Sequence, residues 1–263
     1  SQNENPKLAL AFSREIINNI IPTVRPDLIH CNDWMTGLIP GAARRMGIPC
    51  LFTVHNIHTH HLTLANIEDA GIDAAEFWGN LYYERVPHNY EESRGSNMID
   101  MQTSGVFASH FINTVSPKFL EEIVNGWHDF IPEALRQEIR NKQRAGCAAG
   151  ILNAPDLSDN PETDPNLDVR YGPEDHREAK RANKVAFQRK LGLEENPDAP
   201  LFFWPSRLDP AQKGPQLLAD ILFRFMSRHR RRHVQLAVVA NGVFQKHFHD
   251  ILKIHELYGC LAV

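Results

Sequence analysis

The sequence predicts an α/β protein built from parallel sheets with helices on both faces, divided into two parts, and three observations predict it. Short apolar runs alternate with segments of helical spacing along most of the 263 residues. Polar residues collect just after each apolar run, where a parallel strand gives way to a loop. After Asn153 the stretch APDLSDNPETDPNLDVRYGPED is dense in Pro, Asp and Asn and keeps no period, so it reads as a linker separating residues 1–153 from residues 154–263.

Taken in order, residues 7–21 place Leu8, Ala11, Phe12, Ile16 and Ile20 at helical spacing, with Pro22 and Pro26 closing the helix. The run LIHCND then reads as a strand, MTGLIPGAARRMG as a helix and CLFTVHN as a second strand. Residues 58–96 are irregular and read as a long functional excursion with short helices. Regularity returns with a helix over residues 97–109, strand FINTV, and helix SPKFLEEIVNG, capped by Ser116 with Pro117 at its first position. Strand AAGILN completes a four-stranded first sheet. Beyond the linker come a charged helix ending at LGL, strand LFFW, helix PQLLADILFRFMSRH, strand VQLAVVANG, helix FQKHFHDILKI and an apolar stub, GCLAV. No fixed-period repeat or low-complexity tract interrupts them.

Composition narrows the partners. With 42% hydrophobic and 23% charged residues the chain is ordinary globular protein, and 28 basic against 32 acidic side chains give no field that favours nucleic acid or an anionic membrane. The one basic cluster, RHRRRH at residues 228–233, closes a helix, where cations suit the carbonyl end of the macrodipole. Cys31, Cys50, Cys147 and Cys260 are scattered without a CxxC pair, which favours packing roles and a reducing compartment. The start, SQNENPKLALAF, lacks a basic leader, and no apolar run is long enough to span a bilayer, so the expectation is a cytoplasmic protein.

In open α/β sheets ligands bind beyond the carboxyl ends of the strands, which singles out Asp33, His55, Asn153, Arg207 and Asn241. Arg207 directly follows a strand and Lys213 directly precedes a helix, so both cations and the free helix N–H groups suit one anion, such as a diphosphate. The plain alternative pairs Arg207 with Asp209 and leaves Lys213 solvated. His55, with Asn56 beside it, is either structural or a hydrogen-bonding group for a sugar hydroxyl. Asp33 and Trp34 combine a hydroxyl acceptor with a flat apolar face, or form a helix cap beside a core tryptophan. His58, His60 and His61 lack a carboxylate or cysteine pattern to complete a shell, so no metal is expected. Neither GxGxxG nor GxxxxGK[ST] occurs, which weakens dehydrogenase and P-loop readings.

The segments HCNDWMTGLIP, FTVHN, NTVSP, AAGILNAPD and FFWPSRLDPAQKG, in this order and spacing, resemble the bacterial glycogen synthase and starch synthase family. The resemblance covers essentially the whole chain. It implies the GT-B fold, here parts of two Rossmann-like domains: an acceptor-side domain through residue 153 and a nucleotide-sugar-binding domain after it. It implies a retaining glucosyltransferase that moves glucose from ADP-glucose, or sometimes UDP-glucose, to the non-reducing end of an α-1,4-glucan, with no cofactor. Carried over residue by residue, Arg207 and Lys213 bind the leaving diphosphate and His55 contacts the transferred glucose. Asp33, Trp34, Asn56 and Asn153 line the sugar-binding region.

Two features of the family pattern are missing. The KTGGL-type glycine loop and the EPCGL-like motif, whose glutamate belongs to the family's catalytic centre, do not occur, and five residues rather than four separate Arg207 from Lys213. The expectation is a central fragment of a longer synthase, inactive alone. The alternative is a non-catalytic sugar- or nucleotide-binding scaffold derived from a synthase. A related transferase acting on sucrose or a lipid-linked sugar shares the phosphate turn but not the HCNDW and GILN context.

Overall fold

The computed structural model describes residues 5–210 and 213–263; residues 1–4, and Ala211 and Gln212 in the middle of the expected phosphate turn, lie outside the described residues. The chain forms two compact units, Ser1–Ala154 and Pro155–Val263.

The first unit opens with α1 (Asn5–Glu15), which runs through one π-helical turn, Ile16–Ile20, into α2 (Ile21–Val24). Pro22 therefore sits inside the helical run instead of closing it. In a regular α-helix its ring would collide with the carbonyl four residues back, and the wider π turn just before it relieves that collision. The helix stops at Arg25, left-handed at φ 51°, ahead of Pro26. Next come β1 (Ile29–Asn32), a 3₁₀ turn at Trp34–Thr36, α3 (Ile39–Arg45) and β2 (Cys50–Val54). The excursion holds β3 (His61–Leu62), α4 (Leu64–Asp69) and α5 (Tyr90–Ser96).

β4 (Ile99–Asp100) pairs antiparallel with β3, and α6 (Met101–Ala108) starts only after it. This is later than the periodicity predicts, because Asp100 is the N-cap and its carboxylate accepts the Thr103 N–H. β5 (Phe111–Thr114) leads into α7 (Pro117–Asn125), with the Ser116 hydroxyl accepting the Phe119 N–H and Gly126 closing the helix at φ 70°. The sequence reading assigns no element to residues 127–146, yet α8 (Glu133–Arg144) forms there. Its buried stripe is only Leu135 and Ile139, too narrow to stand out in EALRQEIRNKQR. β6 (Ala148–Gly150) ends sooner than AAGILN suggests, so Ile151, Leu152 and Asn153 lie past the sheet.

β1, β2, β5 and β6 form one parallel sheet in that order. α3 packs on β1 and β2, α7 and α8 pack on β5 and β6, and α6 touches both α3 and α8. Phe52, Ile112, Leu38, Ile123 and Leu135 form part of the buried core. A polar chain crosses the strands: His30 Nε2 lies 2.7 Å from Thr53 Oγ1, and that hydroxyl donates to Asn113 Oδ1 at 2.6 Å. Such a chain favours one register, since a slip would leave buried polar atoms unpaired. Cys31 and Cys50 are free and buried on adjacent strands; a hydrogen bond with Cys50, then burial, push the Cys31 thiol up.

In the second unit the linker carries a 3₁₀ turn at Leu157–Asp159 before α9 (His176–Lys190). Then β7 (Leu201–Arg207), α10 (Pro215–Arg228), β8 (Gln235–Asn241), α11 (Gln245–Ile254) and β9 (Leu261–Ala262) alternate as predicted. The three strands form a parallel sheet in the order β7, β8, β9. Leu222 and Met226, one turn apart on α10, share a small core with Val238 and Phe248. Phe202 and Phe203 of β7, on opposite faces of the strand, are each about half exposed. No helix among the described residues is long and apolar enough to cross a membrane.

Gly37, in the turn after β1, has no room for a side chain: a Cβ there would lie 1.9 Å from the Met101 carbonyl oxygen. Gly37→Ala is expected to lower stability by at least about 1–3 kcal/mol, measured as a shift in urea midpoint. Gly79→Ala, whose Cβ meets nothing within 4 Å, should leave the midpoint nearly unchanged.

Candidate functional site

β1 and β2 end side by side, with Asn32 opposite Thr53. Asp33, the next residue, has φ 55° and ψ 178°, a backbone conformation that glycine adopts and other residues avoid. Such a residue costs about 1–3 kcal/mol and persists only where its surroundings impose it. The imposing contacts are visible. The Asp33 N–H donates to the Thr53 carbonyl at 3.0 Å, and the Asp33 carbonyl accepts the Thr36 N–H at 3.0 Å. The Thr36 hydroxyl lies within hydrogen-bond reach of the Asn32 N–H and of the Asn32 and Asp33 carbonyls.

Asp33 as a whole is 8% exposed. Its Oδ1 accepts the His55 N–H at 2.8 Å and, more weakly, the Asn56 N–H at 3.4 Å, while Oδ2 accepts Asn56 Nδ2 at 3.0 Å. Asn56 is committed at both ends of its amide, since its Oδ1 also accepts the His58 N–H at 2.8 Å. From α6, Gln102 Nε2 donates to the Asn56 carbonyl at 3.1 Å. The loop after β2 is thus fixed by a buried carboxylate in front and a buried amide behind. What this frame presents outward is His55, exposed, with Nε2 at 3.0 Å from Asn32 Oδ1.

Trp34 is 9% exposed and belongs to the core, its ring 4.4 Å from that of His60. It supports the loop by packing. His61 approaches Asp100 at 3.5 Å and Glu84 at 3.9 Å, but among the described residues no group of three or more His, Cys, Asp or Glu side chains comes together as a metal site. Asn153 is exposed beyond β6, at the end of the first unit.

In the second unit Arg207 is the last residue of β7, opposite Asn241 of β8, and is exposed. Leu208, 2% exposed, anchors the turn in the core, and its N–H donates to the Asn241 carbonyl at 2.8 Å. Gly242, at φ 131°, makes that approach possible: a Cβ on it would meet Leu208 Cβ at 3.3 Å. The Lys213 N–H closes the turn onto the Asp209 carbonyl at 2.9 Å. Gly214 at φ 64° then swings the chain into α10, whose first residue, Pro215, has no N–H to leave unpaired. Among the described residues neither Arg207 nor Lys213 makes a salt bridge. The turn therefore presents two exposed cations beside a helix N-terminus, at the carboxyl edge of a parallel sheet, an arrangement suited to phosphate oxygens.

Three residues that hold the first-unit loop escape the sequence reading. Asn32 and Thr36 stand inside HCNDWMT but beside the more conspicuous Asp33 and Trp34. Gln102, fully buried, is the one long polar side chain of α6, among apolar residues and the short, equally buried Thr103 and Ser104, and that contrast is the signal it leaves in the sequence.

The family model for the starch synthase catalytic domain matches residues 1–135. A glycogen synthase of Exiguobacterium sibiricum is 35% identical over 226 residues, covering 80% of this chain and 43% of that protein. A glycogen synthase of Rhodopirellula baltica is 31% identical over 225 residues, covering 82% and 41%. The chain thus spans about two fifths of the length of these relatives. Among solved structures, the catalytic domain of starch synthase IV from Arabidopsis thaliana, bound to ADP and acarbose, superposes with a TM-score of 0.77 at 22% identity. That match covers all of this chain and 52% of the other.

Removing the Asp33 carboxylate should release the His55 loop. Asp33→Ala is expected to speed amide hydrogen exchange at His55 and Asn56 and to cost about 1.5–3 kcal/mol of stability. Asp33→Asn should also destabilise, because its NH₂ group would face a second donor, either Asn56 Nδ2 or the loop N–H groups.

Proposed function

Because the chain belongs to the starch synthase catalytic-domain family, we propose that it serves a glycogen or starch synthase, transferring glucose from ADP-glucose to the non-reducing end of an α-1,4-glucan with retention. The observation that carries this reading is the turn between β7 and α10, which offers Arg207 and Lys213 together at a sheet edge. As the bond between the glucose anomeric carbon and the diphosphate oxygen breaks, its electron pair stays on the diphosphate. Cations beside that oxygen cluster stabilise the charge as it grows. Arg207 contributes a planar fork that matches phosphate geometry, and Lys213 a compact point charge.

In the first unit His55 contacts the transferred glucose, and Asp33 and Asn56 act by holding His55 in place. Asn153 belongs to the same sugar-binding region, and Trp34 works from beneath it as packing. The ADP and acarbose bound by the structural neighbour agree with a nucleotide-sugar donor and a glucan acceptor. The proposed setting is cytoplasmic, and neither a cofactor nor a metal is assigned a role.

ADP titration by calorimetry tests the phosphate assignment. Arg207→Ala and Lys213→Ala should each weaken ADP binding by roughly tenfold to a hundredfold, the loss of one charge-assisted hydrogen bond. Arg231→Ala, in the exposed 3₁₀ turn after α10, should bind like the unaltered chain. Equal affinity in all three variants contradicts the assignment.

A further inference from the structure

His55 has two ring nitrogens, and the structure treats them differently. Nε2 lies 3.0 Å from Asn32 Oδ1, whereas no hydrogen bond among the described residues involves Nδ1. Asn32 is well placed to constrain the ring. Its backbone belongs to β1, in register with Thr53, and both its N–H and its carbonyl are tied to the Thr36 hydroxyl at 2.8 and 2.9 Å. The backbone of His55 is held independently by Asp33 Oδ1 at 2.8 Å. Ring and main chain are therefore fixed by consecutive residues of one strand end. A carbonyl oxygen can only accept, so the nitrogen facing it must carry the proton, and in a neutral imidazole the other nitrogen is then a bare acceptor.

We propose that Asn32 is a positioning residue that sets the tautomer of His55: its amide oxygen takes the Nε2–H, and the bare Nδ1 accepts a hydrogen bond from a hydroxyl of the donor sugar. The second half rests on the reading of the chain as a glucosyltransferase; the first half does not. A site built this way discriminates by polarity, since it rewards a sugar hydroxyl that donates and leaves an unpaired acceptor when that hydroxyl is missing. Asn32 Nδ2 has no partner among the described residues and lies on the same exposed edge as His55, where a second sugar oxygen would find a donor.

The test is ¹⁵N-detected NMR of the histidine rings in the whole chain at a pH where His55 is neutral. The expected result is a single Nε2–H tautomer at His55, a mixture of both tautomers in Asn32→Ala, and a single tautomer again in Asn32→Asp, which keeps the acceptor. Adding ADP-glucose, but not ADP, should shift the Nδ1 resonance while Nε2 stays protonated. Asn32→Ala should reduce the preference for ADP-glucose over ADP roughly two- to tenfold, the worth of one ordinary hydrogen bond. An Nδ1–H tautomer in the unaltered chain, or the same tautomer population in Asn32→Ala, overturns the proposal. An Asn32-dependent tautomer whose Nδ1 ignores ADP-glucose overturns the acceptor role. ADP binding that depends on Arg207 and Lys213 would still stand in that case, which separates this failure from a failure of the phosphate assignment.

Discussion

Parallel pairing is the constraint on which everything else in this chain depends. In the two parallel sheets, β1-β2-β5-β6 and β7-β8-β9, the strands of each run the same way and deliver their last residues to one edge; the short β3–β4 pair alone among the described sheets is antiparallel. Backbone groups just beyond that edge lose their ladder partners and must be satisfied by side chains, helix ends or ligand. Asp33 and Gln102 meet that need for the loop after β2. Gly242, Leu208 and Gly214 shape the turn after β7, where the exposed cations have no salt-bridge partner among the described residues. One edge is thus held by its own side chains and presents the exposed imidazole of His55, and the other carries two exposed cations.

The two edges spend stability differently. At Asp33 a strained backbone and a buried carboxylate are tolerated because several hydrogen bonds converge on them. The strain is local and keeps the His55 loop from relaxing, which is the kind of pre-organisation a sugar site needs, since hydroxyl recognition depends on direction as well as distance. The turn after β7 is less constrained. Arg207 and Lys213 are exposed, and attraction between charges tolerates more variation in distance and direction than a hydrogen bond does.

Much of the fold was legible from the sequence because parallel strands write themselves as short apolar runs. IHCN, CLFTV, FINT and QLAVVAN all became strands, and Ser116 with Pro117 marked a helix start correctly. What escaped was whatever depended on compensation. Pro22 looked like a helix stop, and the π turn that accommodates it leaves no mark in composition. α8 buries just two residues, so its period is faint. For the candidate site, residue types at strand ends singled out Asp33, His55 and Arg207 as candidates, and the start of the following helix singled out Lys213. They did not distinguish contact from support: Asn56 uses its whole amide inside the loop, and Trp34 lies in the core. Gln102 and Asn32, which complete the frame, emerge only when the strands and α6 are placed side by side.

The central claim is that the turn from Arg207 to Lys213 is a diphosphate site formed by a sheet edge and a helix N-terminus. Hydrogen–deuterium exchange with and without ADP tests it most directly. The account predicts slower exchange in the peptide spanning residues 207–217 and no change in the basic segment at residues 228–233. Protection confined to residues 228–233, with residues 207–217 unaffected by saturating ADP, would contradict it.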